Sequence, residues 1–401
     1  MRSCHPFTAS QRATPPAAPP SGGARTFGVE EELLLVDAST LRPAPRGRAL
    51  VESAQGPHPS GHVLATELKQ EQIEVVSPPQ TSLDGVLESI REGRALADAA
   101  AARVGARVVA LATSPWPVAS ELVPEARYER IAHAFGITAA EQLTCGFHVH
   151  VGIESTEEGV AALDRVRVWL PVILALSSNS PFWMGVDTGF ASYRYQAWGR
   201  WPTSGPTEVF GSAAAYLRHC EDALGSGVPL DDGMLYFDAR LSSRYPTLEV
   251  RMADVCLSPE HAAVIATLVR ALVDTCITQW EEGREPPSVS ASLLRAWSWR
   301  ASRYGLADGL VNPLTGVVEP APEVARHLVR FVSAALVRDG ELEPVQMVVD
   351  DLLDAGSGAE RQRSYRSSTR RTRRPADLRG VIEQGLVATH GLPQRRLGAG
   401  A

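Results

Sequence analysis

The chain has 401 residues, 44% of them hydrophobic, and a formal net charge of -7 at pH 7. This length allows one large domain or two, and the acidic balance argues against nucleic acid as an electrostatic partner. Lys69 is the only lysine, and no glycine stands beside it. A phosphate-binding loop of the Gly-Lys-Ser/Thr type is therefore excluded, and the motif set of protein kinases is absent as well.

The five cysteines are scattered along the chain without a Cys-x-x-Cys pair. This pattern predicts reduced thiols and a cytoplasmic location. No run of about 18 uninterrupted apolar residues occurs, so we expect no membrane span, and the N-terminus lacks an apolar signal core. Assembly into a homo-oligomer stays open at this point.

Residues 1–24 are rich in proline, alanine and serine and are predicted to form a disordered tail. The elements that follow mix helices and strands without a regular strand–helix–strand rhythm. In chain order they are a strand from Thr26 to Val36, a helix over 83–104, a strand over 108–112, a helix over 125–135, a strand over 146–151, helices over 157–179 and 259–281, and a last helix near 376–388. We therefore predict an α+β fold, with a mostly antiparallel sheet that lines the active site and helices packed outside it.

Residues 355–374 are polar and rich in arginine, ending in the run Thr369–Arg374. This segment could be an anion-binding arm or a solvated linker, and we favour the linker because short basic runs are usually exposed. The expected organisation is a tail over 1–24, a catalytic domain over 25–354, and a basic linker with a C-terminal helix over 355–401.

Several short strand-like segments place carboxylates and imidazoles on one face. Residues i and i+2 of a strand share a face. The pairs are Glu30 with Glu32, His148 with His150, and Glu249 with Arg251. The opposite face of the last two segments is apolar and predicts core: Phe147, Val149, Val151, Leu248 and Val250. Acidic faces repel themselves unless a cation lies among them, and Mg²⁺ prefers oxygen ligands and phosphate partners.

Two further carboxylates, Glu67 and Glu74, follow in separate segments. An unbroken strand would point them to opposite faces, so they converge only if a bulge or turn lies near Lys69–Glu71. Glu31 stands between Glu30 and Glu32 and faces away, so it is left out of the candidate set.

The order Glu-x-Glu, Glu, Glu, Gly-x-His-x-His and Glu-x-Arg resembles the metal and ATP site of the glutamine synthetase superfamily. Flanking segments narrow the resemblance to the type 2 glutamate–cysteine ligase family, also called carboxylate–amine ligases, over about residues 25–350. These segments are Phe27–Leu33, Arg127–Ile131, Cys145–Gly152, Asp187–Ser192 and Arg303–Leu306. The resemblance implies a glutamine synthetase-like catalytic fold.

The resemblance also implies roles for individual residues. It implies that His150 approaches phosphate or substrate and that Arg251 faces the transferred phosphoryl group. The implied ligands of Mg²⁺ (or Mn²⁺) around the ATP phosphates are Glu30, Glu32, Glu67, Glu74, His148 and Glu249. Without the family, Glu249 and Arg251 are equally well a same-face salt bridge, and a lone Glu67 would be a solvated strand residue.

Arginine forms two-pronged hydrogen bonds with carboxylates, which makes Arg194 and then Arg240 our candidates for the substrate α-carboxylate. Both are equally compatible with surface ion pairs. Cys145 adjoins the histidine segment, and we expect a buried structural thiol there.

The family implies an ATP-dependent ligase for small-molecule substrates. The γ-carboxylate of glutamate attacks the γ-phosphate of ATP, and an amine, in the family cysteine, then displaces phosphate from the acyl phosphate to form an amide. Two alternatives remain at this point: a metal-dependent hydrolase that uses zinc on the His-x-His strand, and a nucleotide-binding protein without turnover.

Overall fold

The structure, a computed structural model, describes residues 24–54, 58–368 and 378–391, without the side chains of residues 367 and 368. Except for Ala24, the expected N-terminal tail lies outside the described residues, and so does the basic run 369–374.

The described part of the chain alternates between strands and helices. The strands are β1 (Phe27–Asp37), β2 (Val63–Thr66), β3 (Gln72–Val76), β4 (Ala106–Val109), β5 (Gly146–Gly152), β6 (Phe182–Trp183), β7 (Val186–Asp187), β8 (Ala239–Leu241), β9 (Thr247–Asp254), β10 (Gly309–Val311) and β11 (Val318–Pro320). The helices are α1 (Gly47–Ser53), α2 (Leu83–Arg103), α3 (Ala126–Phe135), α4 (Ile137–Ala140), α5 (Thr156–Val166), α6 (Leu170–Ser177), α7 (Tyr193–Trp198), α8 (Ala213–Gly225), α9 (Pro259–Glu281), α10 (Ala291–Tyr304), α11 (Ala321–Phe331), α12 (Ser333–Arg338), α13 (Leu342–Ala355), α14 (Gly358–Ser368) and α15 (Arg379–Thr389). A short 3-10 turn covers Asp232–Met234.

Seven strands form one sheet in the order β2-β3-β1-β5-β9-β8, and β4 pairs with the C-terminal half of β1. Every pairing in this sheet is antiparallel. The predicted α+β class with an antiparallel sheet is therefore confirmed. Because β1 and β5 lie side by side at the centre of the sheet, their polar residues come together on one sheet face.

The other face of the sheet is the hydrophobic core. The apolar residues predicted from β5 and β9 are buried there, each at most 1% exposed. Helix α9 packs in the same core; it begins with Pro259 at its first turn, and the hydroxyl of Ser258 caps it by accepting the N–H of His261. By length and composition α9 could cross a membrane, yet 89% of its most apolar stretch is buried inside the protein.

Glu31 turns to this side of the sheet, as its position between Glu30 and Glu32 predicts. Its carboxylate accepts two hydrogen bonds from the buried guanidinium of Arg94 on α2, at 3.0 and 2.7 Å. Arg94 also donates to the carbonyls of Cys256, Leu257 and Thr389. One side chain thus joins the sheet, α2, the segment before α9, and the C-terminal helix.

Three elements differ from their predictions. The helix expected over 157–179 is two helices, α5 and α6, because Pro171 lacks an N–H and begins a new first turn. The strand expected over 108–112 is β4, which ends at Val109, since the N–H of Ala110 donates to the Thr389 hydroxyl and leaves the sheet.

The third difference is the segment expected to be a solvated linker. Residues Gly358–Ser368 form helix α14. Its Gln362 is buried and donates to both the backbone and side-chain oxygens of Asn179, at 2.7 Å each. These contacts lie far apart in sequence, so the polar composition of the segment could not reveal them.

Candidate active site

The register of the sheet brings the predicted acidic and imidazole residues into direct opposition. Glu30 on β1 stands opposite His148 on β5, and Glu32 opposite Glu74 on β3. His150 on β5 stands opposite Glu249 on β9. Cross-strand neighbours have Cβ atoms about 4.5–5.5 Å apart. Three separate strand pairings thus build one polar cluster.

Glu67 joins this cluster through a turn. Strands β2 and β3 are antiparallel with Ala65 opposite Glu74, and the chain reverses between them over residues 67–71. The Lys69 amino group fixes the turn by donating to the carbonyl of Ala140 at 2.9 Å. The carboxyls of Glu67 and Glu74 are hydrogen-bonded to each other. The turn required near Lys69–Glu71 is therefore present.

Two groups of three side chains could each hold a cation, and His148 belongs to both. One is Glu30, His148 and Glu249, and the other is Glu32, Glu74 and His148; within each group the ligand atoms lie within 4.8 Å of one another. His148 Nδ1 is 3.1 Å from a Glu30 oxygen, and His148 Nε2 is 3.8 Å from Glu32. With one imidazole among several carboxylates, the donor set fits a hard divalent ion such as Mg²⁺ or Mn²⁺.

The crowding of carboxyl groups raises two pKa values. Burial, followed by repulsion from Glu32, raises the pKa of Glu67 to about 8. Burial and the negative charges of Glu30 and Glu67 raise the pKa of Glu74 well above its usual value. Without a cation these two carboxyls keep a proton near neutral pH, whereas a divalent cation between them would favour the charged forms.

Around Glu30 and Glu249, by contrast, neighbouring positive charges and hydrogen bonds lower the pKa values of the carboxyl groups. Burial alone would raise the pKa of Glu30, but hydrogen bonds with His148 and His150 hold it well below its usual value. Burial would likewise raise the pKa of Glu249, and the positive charges of Arg251 and Arg240 lower it. Burial and then Arg251 lower the pKa of His148, which keeps its imidazole neutral and able to bind a metal.

His150 is oriented from both sides of its ring. Nδ1 lies 2.9 Å from the Thr247 hydroxyl, and Nε2 lies 3.3 Å from Glu30. Burial is the largest influence on the pKa of His150 and lowers it, but the hydrogen bond with Glu30 and the negative charges of Glu30 and Glu249 together outweigh burial, so the net shift is upward. His150 can therefore carry a positive charge at the edge of the cluster.

Arg251 and Arg240 flank Glu249. The Arg251 guanidinium is buried and pairs with Glu249, and its Nε has no hydrogen-bond partner within the described residues. Arg240 contacts Glu249 at 2.8 Å and donates to the carbonyls of Asp232, Gly233 and Leu235. Two positive charges are thus held beside the acidic cluster.

The cluster lies in an open cavity of about 590 Å³. Nine of the ten residues predicted for the site line it: Glu30, Glu32, Glu67, Glu74, His148, His150, Arg240, Glu249 and Arg251. Arg194 is not among the lining residues. It is buried, and its guanidinium donates to the carbonyls of Met252 and Arg251 at 3.2 and 3.3 Å. It lies close under Gly146, where any Cβ would overlap the guanidinium.

Other residues that the sequence analysis did not predict for the site also line the cavity. Arg127 forms a two-pronged salt bridge with Asp231, at 2.8 and 2.9 Å. The other additional residues include Tyr128, Trp198, Trp201, Tyr236, Arg244 and Tyr245. Arg127 and Tyr128 belong to a segment that carries the family resemblance, which is the one available signal. The loops around Asp231 and Arg244 carry no motif.

Solved structures of low sequence identity share this fold. The glutamate–cysteine ligase of Francisella tularensis, solved in complex with AMP, has a TM-score of 0.61 at 12% identity, over 94% of this chain and 90% of that one. A bifunctional glutathione synthetase from Pasteurella multocida has a TM-score of 0.66 at 14% identity, over 92% of this chain and 53% of that one. At such identities the likeness bears on the fold alone.

Closer relatives are found by sequence. A protein of Paenarthrobacter aurescens (strain TC1), provisionally named glutamate–cysteine ligase 2-1, is 48% identical over 376 residues, which cover 92% of this chain and 96% of that protein. A protein of the same provisional name from Streptomyces avermitilis is 48% identical over 367 residues, which cover 92% of this chain and 100% of that protein. The model of glutamate–cysteine ligase family 2 matches residues 26–384, so the resemblance predicted from the motifs is confirmed. This chain belongs to glutamate–cysteine ligase family 2.

Proposed function

We propose that the protein is an ATP-dependent carboxylate–amine ligase that joins glutamate to an amine such as cysteine through a γ-glutamyl phosphate. The observation that carries this proposal is the oxygen-rich cluster around His148, with Arg251 and Arg240 beside it in one cavity. Phosphoryl transfer concentrates negative charge, and catalysis of this step consists largely of positioning and neutralisation.

The residues that would hold Mg²⁺ or Mn²⁺ are those of the two groups that share His148, together with Glu67 beside Glu74. When bound, such ions neutralise phosphate oxygens and orient the phosphoryl group for in-line transfer. The protein's own part is to keep His148 neutral and Glu30 and Glu249 charged, so that ligands are ready at neutral pH.

We infer that Arg251 stabilises the phosphoryl group as it moves from ATP to the γ-carboxylate. Its buried Nε lacks a partner among the described residues, so an incoming oxygen can accept that hydrogen bond. His150, held by Thr247 and Glu30, is a second donor at the same edge. The amine then attacks the acyl carbon, phosphate leaves, and an amide forms.

The site favours this chemistry over a zinc hydrolase. Both candidate ion groups contain a single imidazole, His148, and the rest of each group is carboxylate. His150 belongs to neither group; its Nδ1 contacts the Thr247 hydroxyl, and its Nε2 lies 3.3 Å from Glu30. Zinc sites in hydrolases usually take two or three nitrogen or sulfur ligands, which this donor set does not supply.

The experiment that tests the proposal is a screen for ADP release with Mg-ATP, glutamate and a panel of amines that includes cysteine. We expect ADP release that requires both glutamate and an amine, with an equal amount of amide. Omission of glutamate is the control for simple ATP hydrolysis. Nucleotide binding without any ADP release would contradict the proposal and favour a binding protein.

We also propose that the substrates are small molecules and that the protein is cytoplasmic. Small-molecule substrates follow from the size of the cavity, about 590 Å³, which lies in the range typical of ligand pockets. A cytoplasmic location is supported by Cys145, Cys220, Cys256 and Cys276, all of them free thiols.

A further inference from the structure

A five-residue loop, 242–246, joins β8 to β9 at the cavity, and four of its residues line the cavity wall. The loop has a defined conformation. The N–H of Ser242 donates to the carbonyl of Thr247 at 3.0 Å, and the Ser242 hydroxyl accepts the N–H groups of Arg244 and Tyr245. The Tyr245 ring stands edge-on to the ring of His150, with centroids 6.1 Å apart. Arg244 is therefore held beside the catalytic cluster.

The arginines of the cavity differ in whether their charge is already paired. Arg127 pairs with Asp231, and Arg240 and Arg251 both pair with Glu249. Arg244 is exposed, and within the described residues its guanidinium makes no ion pair or hydrogen bond. Among the four arginines that line the cavity, it is the one whose charge has no carboxylate partner within the described residues.

The loop that carries Arg244 ends at Thr247, two residues before Glu249, and this spacing is comparable with the length of one amino acid. Strand residues advance about 3.3 Å each, so a loop beyond Thr247 begins about 7 Å from Glu249. The two carboxyl carbons of glutamate are separated by four carbon–carbon bonds of about 1.5 Å, or about 5 Å when extended. A γ-carboxylate at the phosphoryl group therefore places the α-carboxylate within reach of a flexible arginine on this loop.

We propose that Arg244 binds the α-carboxylate of the amino acid whose side-chain carboxylate is phosphorylated. The assignment rests on the proposed ligase function. It gives Arg244 the role for which the sequence offered Arg194 and Arg240, because Arg194 lies outside the cavity and Arg240 is already bound to Glu249 and three carbonyls. Guanidinium and carboxylate match in geometry, so the contact selects amino acids with a free α-carboxylate.

Steady-state kinetics of Arg244→Gln test this assignment, with Arg244→Lys as the conservative variant. Arg326→Gln is the matched control, because Arg326 is an exposed arginine paired with Asp350 outside the cavity. We expect the KM for glutamate to rise about 10- to 100-fold in Arg244→Gln, the magnitude of a lost charged hydrogen bond. The kcat and the KM for ATP should stay near their wild-type values, and Arg244→Lys should recover part of the loss.

A second substrate makes the test specific. Glutamate α-amide keeps the γ-carboxylate and lacks the α-carboxylate charge. The wild type should prefer glutamate to this amide, and Arg244→Gln should lose that preference. A raised KM for ATP instead of glutamate would assign Arg244 to phosphate, and unchanged glutamate kinetics would remove it from the site; either result overturns the assignment. A wild-type protein without glutamate-dependent ADP release would instead contradict the ligase function itself.

Discussion

At the scale of single residues, the site depends on carboxyl groups that the fold forces together. Burial and neighbouring charges raise the pKa values of Glu67 and Glu74, while Glu30 and Glu249 remain charged beside histidine and arginine. A divalent cation at the proposed site would favour the charged forms of Glu67 and Glu74. Binding of the ion and stability of the protein should accordingly depend on each other.

The raised pKa of Glu67 predicts how stability depends on pH without added divalent ions. The folded protein keeps a proton that the unfolded chain loses above its ordinary pKa of 4.5. Stability from this group is present below that pH and is lost as the pH rises towards about 8. The slope should reach about 1.4 kcal/mol per pH unit. Urea unfolding in EDTA across this range measures it.

Substitution separates the contribution of Glu67 from those of other carboxyls that change stability in the same direction. The pKa of Glu74 is raised well above its usual value, and those of Glu71 and Asp238 are raised to about 6 and 7. Glu67→Gln should flatten the pH dependence, whereas Glu52→Gln, at an exposed site on α1, should leave it unchanged. Mg²⁺ should raise the melting temperature more at pH 9 than at pH 6. Equal slopes in wild type and Glu67→Gln would show that Glu67 does not hold the extra proton.

Among the proposed ligands, Glu30 is the residue that we expect to be least tolerant of change. Its oxygens lie 3.1 Å from His148 Nδ1 and 3.3 Å from His150 Nε2, so it contributes both to the proposed ion site and to the orientation of His150. Glu30→Gln should lower glutamate-dependent ADP release about 100-fold or more. Loss of a residue that only supports a metal ligand typically costs about 10- to 100-fold, and loss of a ligand should cost more. Glu52→Gln is the control. Wild-type turnover by a folded Glu30→Gln protein would remove Glu30 from the ion site.

At the scale of elements, the sequence was sufficient to predict which site residues share a strand face, because that depends only on strand periodicity. The shared faces of Glu30 with Glu32 and of His148 with His150 follow from a repeat of two, and the register of the sheet then sets Glu30 opposite His148. Arg194 and Arg244 could not be told apart in this way. Whether an arginine reaches the cavity or packs under Gly146 depends on contacts between distant segments, as does the helical state of residues 358–368.

The buried pair of Arg94 and Glu31 holds several elements together, so its loss should be costly. Arg94→Met leaves the Glu31 carboxylate buried, 2% exposed, without its cation. The free energy of unfolding should fall by about 3–5 kcal/mol. Arg48→Met, which breaks an exposed pair with Glu52 on α1, should cost less than about 0.5 kcal/mol. Urea denaturation compares the two, and a similar small loss in both would mean that Arg94 contributes little to the fold.

At the scale of the whole molecule, the described chain is anchored at its start by Arg25. This side chain pairs with Asp274 at 2.7 Å and with Glu158. Residues 1–24 contain almost no large apolar residue, Phe7 being an exception. Deletion of residues 1–24 should therefore change neither the melting temperature nor ADP release, whereas Arg25→Ala should lower the melting temperature. A marked fall in the melting temperature on deletion of residues 1–24 alone would show that the tail packs against the protein.

The central claim is that this cavity activates a carboxylate by transfer of the γ-phosphoryl group of ATP. Glutamate labelled with heavy oxygen in its γ-carboxylate tests the claim most directly, because the carboxylate oxygen becomes the bridging atom of the acyl phosphate and leaves with phosphate when the amine attacks. Mass spectrometry of the released phosphate should find one labelled oxygen for each amide formed. Phosphate without label during confirmed amide synthesis would contradict the glutamyl phosphate intermediate and, with it, the role given to the site.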